Sequence, residues 1–362
     1  MTSTVNLYDI IEQSAHAGIR QQGADGAMPS GHNGPHGDPE TPVRSTSHWL
    51  ITFLKAYAIS GSPAFQDAAR KAAAYLCSDV ARPMHAAFWH RSNPEKNFSN
   101  GLIGQAWTLE ALAAAADVLG NETCARLAEE VFLLHPFVER FGLWCKLNVE
   151  GSHSGLDLTF NHQLWFAAAG SLLPSRDARV LERVQRFLDR LPQSLSLYPS
   201  GLIWHLLKSP AKLQSHLKRS VYGIASRVRP TPHQDLYERA LGYHAFNLYA
   251  FALLRQQVPE HPFWRSDQMA RALAYARSAE FVAALDTNKY SYSYNPVGFE
   301  VAFALAGFAC GERVEQESWV SEQLRRCYDL SAQLLCANSG DSATLAARLY
   351  EATRLPDLTV RV

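Results

Sequence analysis

The chain has 362 residues, 47% of them hydrophobic, and its 34 basic and 34 acidic residues cancel to a formal net charge of zero. A neutral balance without a basic block argues against nucleic acid as a partner, and the apolar content is sufficient for a large core. The N-terminal segment contains Asp9 and Glu12 and lacks a basic region followed by an apolar run, so it is unlike a signal peptide. No stretch approaches the length of a membrane span. We therefore expect a cytoplasmic protein.

Three tryptophans are spaced at a constant interval. Trp49, Trp107 and Trp165 lie 58 residues apart, each just inside an apolar segment that follows a polar loop. This period is too long for one helix and suits two antiparallel helices with two turns. Phe246 and Phe303 continue the series at intervals of 81 and 57 residues, so only one interval is stretched. The spacing predicts a ring of helical hairpins.

Amphipathic segments alternate with these apolar ones, and their charged faces are typical of outer helices. We expect helices at 5–20, 64–80, 121–134, 176–190, 261–284 and 313–336, and a last apolar helix at 341–353. Six buried and six covering helices predict an all-α fold, a single (α/α)6 barrel over residues 1–362. The stretched interval is an insertion at 191–238, in which two apolar runs around a Pro-Ser-Gly turn predict a small β-hairpin over one mouth.

The loops that lead into the inner helices are rich in His, Asn, Tyr, Trp and Gly, whereas a merely solvated rim would favour Lys and Glu. In a closed ring, these helix starts converge on one mouth. Aromatic faces stack on sugars, and Asn, His and Arg bind hydroxyl and carboxylate groups. The candidates for binding a carbohydrate are Asp25, His32, His36, Asp38, Arg44, His48, Trp49, His90, Arg91, Asn100, Trp107, Trp165, His205, Tyr292 and Tyr294.

Two segments resemble alginate lyases and related toroidal polysaccharide lyases. FNHQLWFAAAG at 160–170 is similar to their Asn-Asn-His-x-x-Trp helix start, and RALGYHAFNL at 239–248 is similar to their Arg-Ala-Leu-x-Tyr-His-x-Tyr segment. The resemblance implies that Asn161 and His162 neutralise a uronate carboxylate and assist removal of the C5 proton. It implies a supporting role for Arg239.

The catalytic tyrosine of those lyases falls at Phe246, and a phenyl ring cannot transfer a proton. Tyr243 lies one helical turn earlier on the same face and is the candidate for supplying the phenol. His244 is a further candidate for proton transfer. Both residues are equally consistent with core aromatic side chains whose polar tips are hydrogen bonded. Similarly, Asn161 is of a type that often caps a helix.

Three further resemblances point to the same class of substrate. GQAWTLEAL at 104–112 is similar to a helix of unsaturated glucuronyl hydrolases, which are (α/α)6 barrels. A hairpin followed by a YHxFN-type helix is similar to the catalytic region of glucuronyl C5-epimerases. The loop and helix at 31–57 resemble AglQ-type proteins of glycosylation gene clusters, which implies processing of a hexuronate in a glycan. All of these families handle uronic acids.

Uronate chemistry suits the candidate residues. Removal of a C5 proton beside a carboxylate creates an enolate, whose charge must be offset by donors such as Asn161, His162 and Arg239. Expulsion of the 4-substituent then gives a lyase, and reprotonation on the other face gives an epimerase. We therefore predict an enzyme that abstracts the C5 proton of a hexuronate in a glycan. The alternatives are a glycoside hydrolase of the glucuronyl hydrolase type and a non-catalytic glycan-binding toroid.

The first loop leaves two other readings open. His32, His36 and Asp38 have metal-ligand types at close spacing, but no HExxH motif or carboxylate-rich helix accompanies them. The glycines and prolines of this first loop favour a rigid sugar-binding turn, so we expect neither a metal nor a cofactor. Asp25, Asp38 and Glu40 are the carboxylates that a hydrolase would use.

The six cysteines show neither CxxC nor zinc-ligand spacing. Most of them fall on helical positions. We expect reduced thiols packed in the core.

Overall fold

A computed structural model of the chain describes residues 4–208 and 233–362, which form a mostly helical barrel. Its helices are α1 (Leu7–Gln21), α2 (Val43–Ser60), α3 (Pro63–Leu76), α4 (Gly101–Leu119), α5 (Glu122–Leu134), α6 (Phe160–Leu172), α7 (Ala178–Ser194), α8 (His233–Gly242), α9 (His244–Gln257), α10 (Asp267–Ala276), α11 (Ala279–Leu285), α12 (Val297–Gly307), α13 (Arg313–Cys327) and α14 (Ser342–Ala347). Short 3-10 helices cover Gly34–His36, Pro262–Arg265 and Arg348–Arg354.

The inner layer is a closed ring of helices. Helices α2, α4, α6, α9 and α12 pack in this order, each on the next, and the 3-10 helix Arg348–Arg354 contacts both α12 and α2. These helices are buried nearly all round, as their uniformly apolar sequences predict. Trp49, Trp107 and Trp165 lie on α2, α4 and α6. The (α/α)6 barrel and the equivalence of these three helices are therefore confirmed.

The outer layer consists of α1, α3, α5, α7, α10 and α13. Helix α7 shows why such helices form and where they pack, because its buried residues Val180, Val184, Phe187 and Leu191 recur at helical spacing on one side. Its charged residues cover the opposite side. Hydrogen-bonding residues start several of the other outer helices; the Asn121 side chain, for example, accepts from the first turn of α5.

Three predicted helices differ from those in the structure. The segment 261–284 is a 3-10 helix followed by α10 and α11, because Ser266 and Ser278 each cap a new helix start. The helix expected to reach residue 336 ends at Cys327, where a short strand pair begins. The last inner helix continues beyond Ala347 only as the 3-10 helix.

Three small antiparallel sheets accompany the helices. Strand β1 (Thr4–Asn6) pairs with β7 (Thr359–Arg361) at the seam between the first outer and the last inner helix. Strands β2 (Phe137–Val138), β3 (Leu143–Leu147) and β4 (His153–Leu156) form one sheet, and β5 (Tyr328–Asp329) pairs with β6 (Leu334–Leu335). The three-stranded sheet that precedes α6 was not predicted from the sequence.

The insertion contains a tight antiparallel turn. Leu197 and Ile203 form a β-bridge across it, and Gly201 adopts φ +103°, a conformation that favours glycine. A second bridge joins Leu206 to Thr159 at the start of α6. The part of the predicted insertion from 209 to 232 lies outside the described residues.

Helix α4 departs from one expectation. It has 19 residues and a mean hydropathy of 1.2, which is sufficient by length and composition to cross a membrane. The expectation that no stretch approaches the length of a membrane span is therefore wrong for this helix. Within the barrel, 72% of the most apolar 18-residue window of this helix is buried. A single helix of this kind is weak evidence for a membrane span, because buried core helices are equally apolar.

Buried ion pairs link the inner layer. Arg348 contacts Glu300 at 2.8 Å and Glu351 at 2.7 Å, and Arg354 contacts Glu110 at 2.6 Å. Burial and the adjacent Glu351 carboxylate raise the pKa of Glu300, and burial raises the pKa of Glu351 to about 7 against the attraction of Arg348. Two carboxylates that face one guanidinium at low dielectric therefore favour holding a proton between them.

Candidate active site

Loops and the starts of inner helices enclose a cavity of about 250 Å³ at one mouth of the barrel. Its lining residues are Asn33, His36, Asp38, Arg91, Lys96, Asn100, Ile103, Trp107, Thr159, Asn161, His162, His205, Arg239, Tyr243, Phe246, Tyr294 and Arg348. Ring closure thus brings together Asn100, Asn161, His162, Arg239 and Tyr243, which lie on four different segments. Its volume is near the lower end of the range for ligand cavities, ~300–1,000 Å³.

A buried carboxylate orients His162. The Nδ1 atom of His162 lies 2.8 Å from Asp157 Oδ2, and Asp157 also accepts hydrogen bonds from the backbone N–H groups of Leu102 and Thr159 at 3.2 Å each. Burial alone would raise the pKa of Asp157, but His162 and these contacts lower it far below its usual range. An ionised Asp157 only accepts, so Nδ1 carries the hydrogen. The Nε2 atom of His162 is then free to exchange a proton in the cavity.

Local backbone geometry permits this pair to form. His162 lies in the first turn of α6, and Asp157 lies in the loop before it. Gly101 adopts φ +59° at the start of α4, and a Cβ atom there would lie 2.6 Å from Asp157 Oδ2 and 3.3 Å from His162 Nδ1. Asn100 before it is also left-handed, at φ 56°. The Asn-Gly sequence therefore allows α4 to start against the Asp157–His162 pair.

A second hydrogen-bonded pair joins the first loop to the start of α9. His36 Nε2 lies 2.8 Å from the Tyr243 hydroxyl, and the His36 ring packs against Tyr290 and Tyr294. Burial, with a contribution from Arg239, lowers the pKa of His36 to about 3. Burial raises the pKa of Tyr243. Both groups are therefore uncharged at neutral pH, and one hydrogen bond joins Nε2 to the phenol oxygen.

His205 adds a third imidazole to the cavity. Its ring centroid lies 5.5 Å from that of Tyr243, and its Nδ1 is buried without a partner among the residues described. Burial and the Arg239 charge lower the pKa of His205 to about 3. The backbone oxygen of His205 accepts from Phe160 N–H at 2.9 Å, which fixes this turn of the insertion to the start of α6.

Cationic side chains predominate among the ionisable lining groups other than histidine and tyrosine. Arg91, Lys96, Arg239 and Arg348 are basic, and Asp38 is the one carboxylate in the lining that the structure describes. Asp38 binds both Arg91 and Lys96, and these cations hold its pKa below its usual value against the effect of burial. Arg239 and Arg348 are likewise paired, with Asp235 and with Glu300 and Glu351, so these groups present N–H donors to a ligand while most of their charge is balanced.

The amide of Asn161 can accept a hydrogen bond from a ligand through its oxygen and donate one through its nitrogen. Its Oδ1 atom is buried and has no partner within 4–208 or 233–362. Buried amide oxygens are normally hydrogen bonded. Arg239 is fixed by Asp235 at 2.9 Å and lies over the Tyr290 ring at 5.5 Å, which leaves its lining atoms in a defined position. Hydroxyl and carboxylate groups of a sugar would satisfy both residues.

His244 lies outside the cavity, contrary to expectation. Its Nε2 atom lies 3.0 Å from the Ala272 carbonyl oxygen, and its Nδ1 accepts from Ile203 N–H at 3.3 Å. The ring packs edge-on against Tyr275 and Phe281. One residue along a helix turns a side chain by about 100°, so Tyr243 and His244 cannot share a face. His244 thus joins α9 to the outer layer.

Four other candidates from the inner helices lie in the core behind the cavity wall. His48 stacks on Tyr350 at 4.2 Å, and Trp49 packs against Gly18 of α1. Arg44 is buried, pairs with Glu40 and lies over the Trp107 ring at 4.1 Å, so it supports a lining residue from behind. Trp165 stacks on Phe246 at 4.4 Å and supports the lining in the same way.

Four more candidates are also placed elsewhere. His90 is buried and lies 3.1 Å from the Thr108 hydroxyl. Asp25 is exposed and accepts from a backbone N–H group of its own turn. His32 lies beside Asp341 at 3.7 Å. Tyr292 lines a separate cleft of about 880 Å³ on the outer surface. The loops before inner helices are long enough for these side chains to turn away from the mouth.

Sequence reasoning missed several lining residues. They are Asn33, Lys96, Ile103, Thr159 and Arg348, together with Asp157 beneath His162. Asp157 had a usable signal, because a carboxylate just before a histidine-containing helix start can orient that histidine. Arg348 also had a signal, because it lies in the segment 341–353 predicted as the last apolar inner helix, where an arginine is buried only when it is paired. No group of three potential metal ligands occurs within the described ranges.

The barrel has the fold of toroidal carbohydrate-active enzymes. It matches cellobiose 2-epimerase from Spirochaeta thermophila with a TM-score of 0.62 and 17% identity over 96% of both chains. D-mannose isomerase matches with a TM-score of 0.66 and 14% identity over 96% of this chain and 95% of that chain. An unsaturated glucuronyl hydrolase matches with a TM-score of 0.62 and 13% identity, again over 96% and 95%. At such identities, the likeness shows the fold alone.

One sequence relative is much closer. The chain is 47% identical to archaeal glycosylation protein Q from Haloferax volcanii over 367 residues, which cover 98% of this chain and 99% of that protein. The chain therefore belongs to the archaeal glycosylation protein Q family. The sequence resemblance to AglQ-type proteins is confirmed. No family model matches the chain.

Proposed function

We propose that the protein is an enzyme that acts on a hexuronate in a glycan by removing the proton at C5, next to the carboxylate. The observation that carries this proposal is the pairing of His162 with Asp157 beside the pairing of His36 with Tyr243 in one arginine-lined cavity. Such pairs supply an imidazole that can take a proton and a phenol that can give one. Membership of a glycosylation protein family supports a glycan as substrate.

The cavity residues fall into two roles in this reaction. Arg239 and Asn161 bind the uronate carboxylate and offset the negative charge of the enolate that forms when the C5 proton leaves. His162 Nε2 takes the proton, and the ionised Asp157 stabilises the resulting imidazolium. Tyr243, hydrogen bonded to His36, supplies a proton in the second half of the reaction. Delivery to the opposite face of C5 gives the epimer, and delivery to the leaving 4-oxygen gives the unsaturated product.

An epimerase is favoured over a lyase. A glycosylation protein tailors a glycan, and an epimerase leaves the glycan intact whereas a lyase shortens it. Phe246 does not argue for a loss of catalysis, because the Tyr243 ring lies 5.9 Å from it within the same cavity.

Hydrolysis has weaker support. Glycosidases of the usual type need two carboxyl groups about 5–9.5 Å apart across the scissile bond. In the described lining, the candidate carboxylate Asp38 is neutralised by Arg91 and Lys96, and Glu40 is buried against Arg44. Asp25 lies outside the cavity. These positions leave no carboxylic acid of raised pKa in the lining to protonate a leaving group.

Incubation with uronate oligosaccharides in deuterated water tests the proposal. The expected result is deuterium at C5, detected by NMR, with inversion at that carbon and no shortening of the glycan. An unsaturated product with ultraviolet absorbance would identify a lyase, which retains C5 chemistry. Saturated cleavage products without C5 deuterium would support a hydrolase instead. Binding without any exchange or cleavage across uronates of both C5 configurations would support the non-catalytic alternative.

A further inference from the structure

Two cysteines distant in sequence lie side by side in the outer part of the barrel. The Sγ atoms of Cys77 and Cys124 are 3.6 Å apart, although 47 residues separate them. Cys77 ends α3, and Cys124 lies in the first turn of α5. All six cysteines are free thiols within the described ranges. None of the other four has a sulfur neighbour in hydrogen-bonding range there.

The two thiols have unequal access to solvent. Cys77 is half-buried, whereas Cys124 is fully buried beneath it. A hydrogen bond from Cys124 lowers the pKa of Cys77, and the same contact together with burial raises the pKa of Cys124. The thiolate is the form that attacks disulfides, so the accessible sulfur is also the more nucleophilic one. Cys124 is positioned to react second.

We propose that Cys77 and Cys124 form a reversible disulfide when the protein meets a low-molecular-weight disulfide. This inference is independent of the proposed function. The sulfurs must approach by about 1.5 Å to reach a bond length of ~2.05 Å. Rotation of the half-buried Cys77 side chain and small shifts of two helix ends can supply this movement, since both cysteines lie at helix termini rather than in helix centres.

The exchange takes two steps. The Cys77 thiolate attacks one sulfur of the small disulfide, a mixed disulfide forms, and one small thiolate leaves. The Cys124 thiolate then attacks the Cys77 sulfur, the protein disulfide forms, and the second small thiolate leaves. The two protons from the protein thiols are taken up by the two leaving thiolates. The protein is oxidised by two electrons, and the small disulfide is reduced to two thiols.

The cross-link would enclose part of the active site. The chain between Cys77 and Cys124 contains the connection that carries Arg91 and Asn100 and the whole of inner helix α4. Closing a loop of this length restricts the unfolded chain. Oxidation is therefore expected to raise the midpoint of thermal unfolding by several degrees. A reductant would reverse the change.

The experiment treats the full-length protein with glutathione disulfide and counts thiols after denaturation. Wild type is expected to fall from six free thiols to four, with peptide mapping that joins Cys77 to Cys124. Cys124→Ser should retain glutathione on Cys77 and form no protein disulfide. Cys336→Ser is the matched control, because Cys336 is also half-buried and has no thiol neighbour among described residues. It should fall from five thiols to three and show the same thermal shift.

Three results would overturn the proposal. Wild type could keep all six thiols under conditions that oxidise an exposed dithiol peptide, or it could form a bridge between other cysteines. It could also accumulate the glutathione adduct on Cys77 without release, which would show that Cys124 does not resolve it. Each result is distinguishable by intact mass and peptide mapping. None depends on catalytic activity.

Discussion

Replacing Asp157 with asparagine tests the core of the proposed mechanism. The Asp157 carboxylate is 5% exposed and accepts the Nδ1–H of His162 at 2.8 Å. An amide in its place carries no charge to stabilise the imidazolium. It can also turn its NH2 group toward His162, which would place the hydrogen on Nε2 and block that atom as a base. The substitution thus changes the chemistry of His162 with little change in volume.

The expected magnitudes differ for stability and for catalysis. The amide oxygen can still accept from Leu102 or Thr159, so the variant loses one charge-assisted hydrogen bond, about 2 kcal/mol and a few degrees in Tm. Because the pKa of Asp157 is lowered in the folded state, its contribution to stability is present above its unfolded pKa of about 4 and is lost as pH falls. Turnover should fall on the order of 10²–10⁴-fold, the usual contribution of an oriented acid–base group.

The assay is the rate of deuterium exchange at C5 of a uronate oligosaccharide, measured alongside substrate affinity and Tm. Asp189→Asn is the matched control, because Asp189 also contacts a histidine, His261, at 3.2 Å but lies outside the cavity. The control should exchange at the wild-type rate. If Asp157→Asn retains the wild-type rate while remaining folded, His162 is not the oriented base and the mechanism is refuted.

Two further predictions concern the same cavity, and a third concerns three buried histidines. Tyr243→Phe should lower the rate of inversion at C5 about 10²-fold or more while binding persists, and a wild-type rate of inversion would exclude the phenol as the acid. Arg239→Gln should weaken substrate binding roughly 10–100-fold in a titration, because a charge-assisted contact of ~1.5–3 kcal/mol is lost; unchanged affinity would place the carboxylate elsewhere. Burial lowers the pKa values of His36, His90 and His205 from 6.5 to about 3. Between these two pH values, the three histidines bind protons in the unfolded chain but not in the folded one. The free energy of unfolding should therefore be highest above pH 6.5 and decline toward pH 3. A Tm that is constant from pH 7 to 5 would contradict this linkage.

The sequence predicted the barrel well because its evidence is periodic. Three tryptophans on α2, α4 and α6 repeat at 58 residues, and burial on all sides makes inner helices uniformly apolar. Helix ends were less predictable. The segment expected at 261–284 breaks where Ser266 and Ser278 cap new helices, and hydrophobic periodicity alone does not register such caps.

The candidate site was predicted in part. Asn161, His162 and Tyr243 lie at helix starts, and ring closure brings helix starts together. His244 follows Tyr243 in sequence but faces the outer layer, since adjacent helical residues diverge by about 100°. Asp157 and Lys96 come from connections whose paths depend on tertiary contacts, and helical periodicity carries no information about such paths. Loop residues were therefore missed, and candidates on inner helices such as His48 and Trp165 were misplaced because periodicity does not say which side of a fully buried helix faces the cavity.

The buried ion pairs of the inner layer constrain how this sequence can diverge. Removing Arg348 alone would leave its carboxylates without a counter-charge at low dielectric, at a cost of about 3–5 kcal/mol, whereas replacing the whole group with apolar residues can be neutral. Loss of Glu300 or Glu351 alone is expected to cost less, because the remaining carboxylate still balances the guanidinium. Arg348 is therefore the position of the three at which a single substitution is least tolerated, and we expect changes there to be accompanied by changes at Glu300 and Glu351.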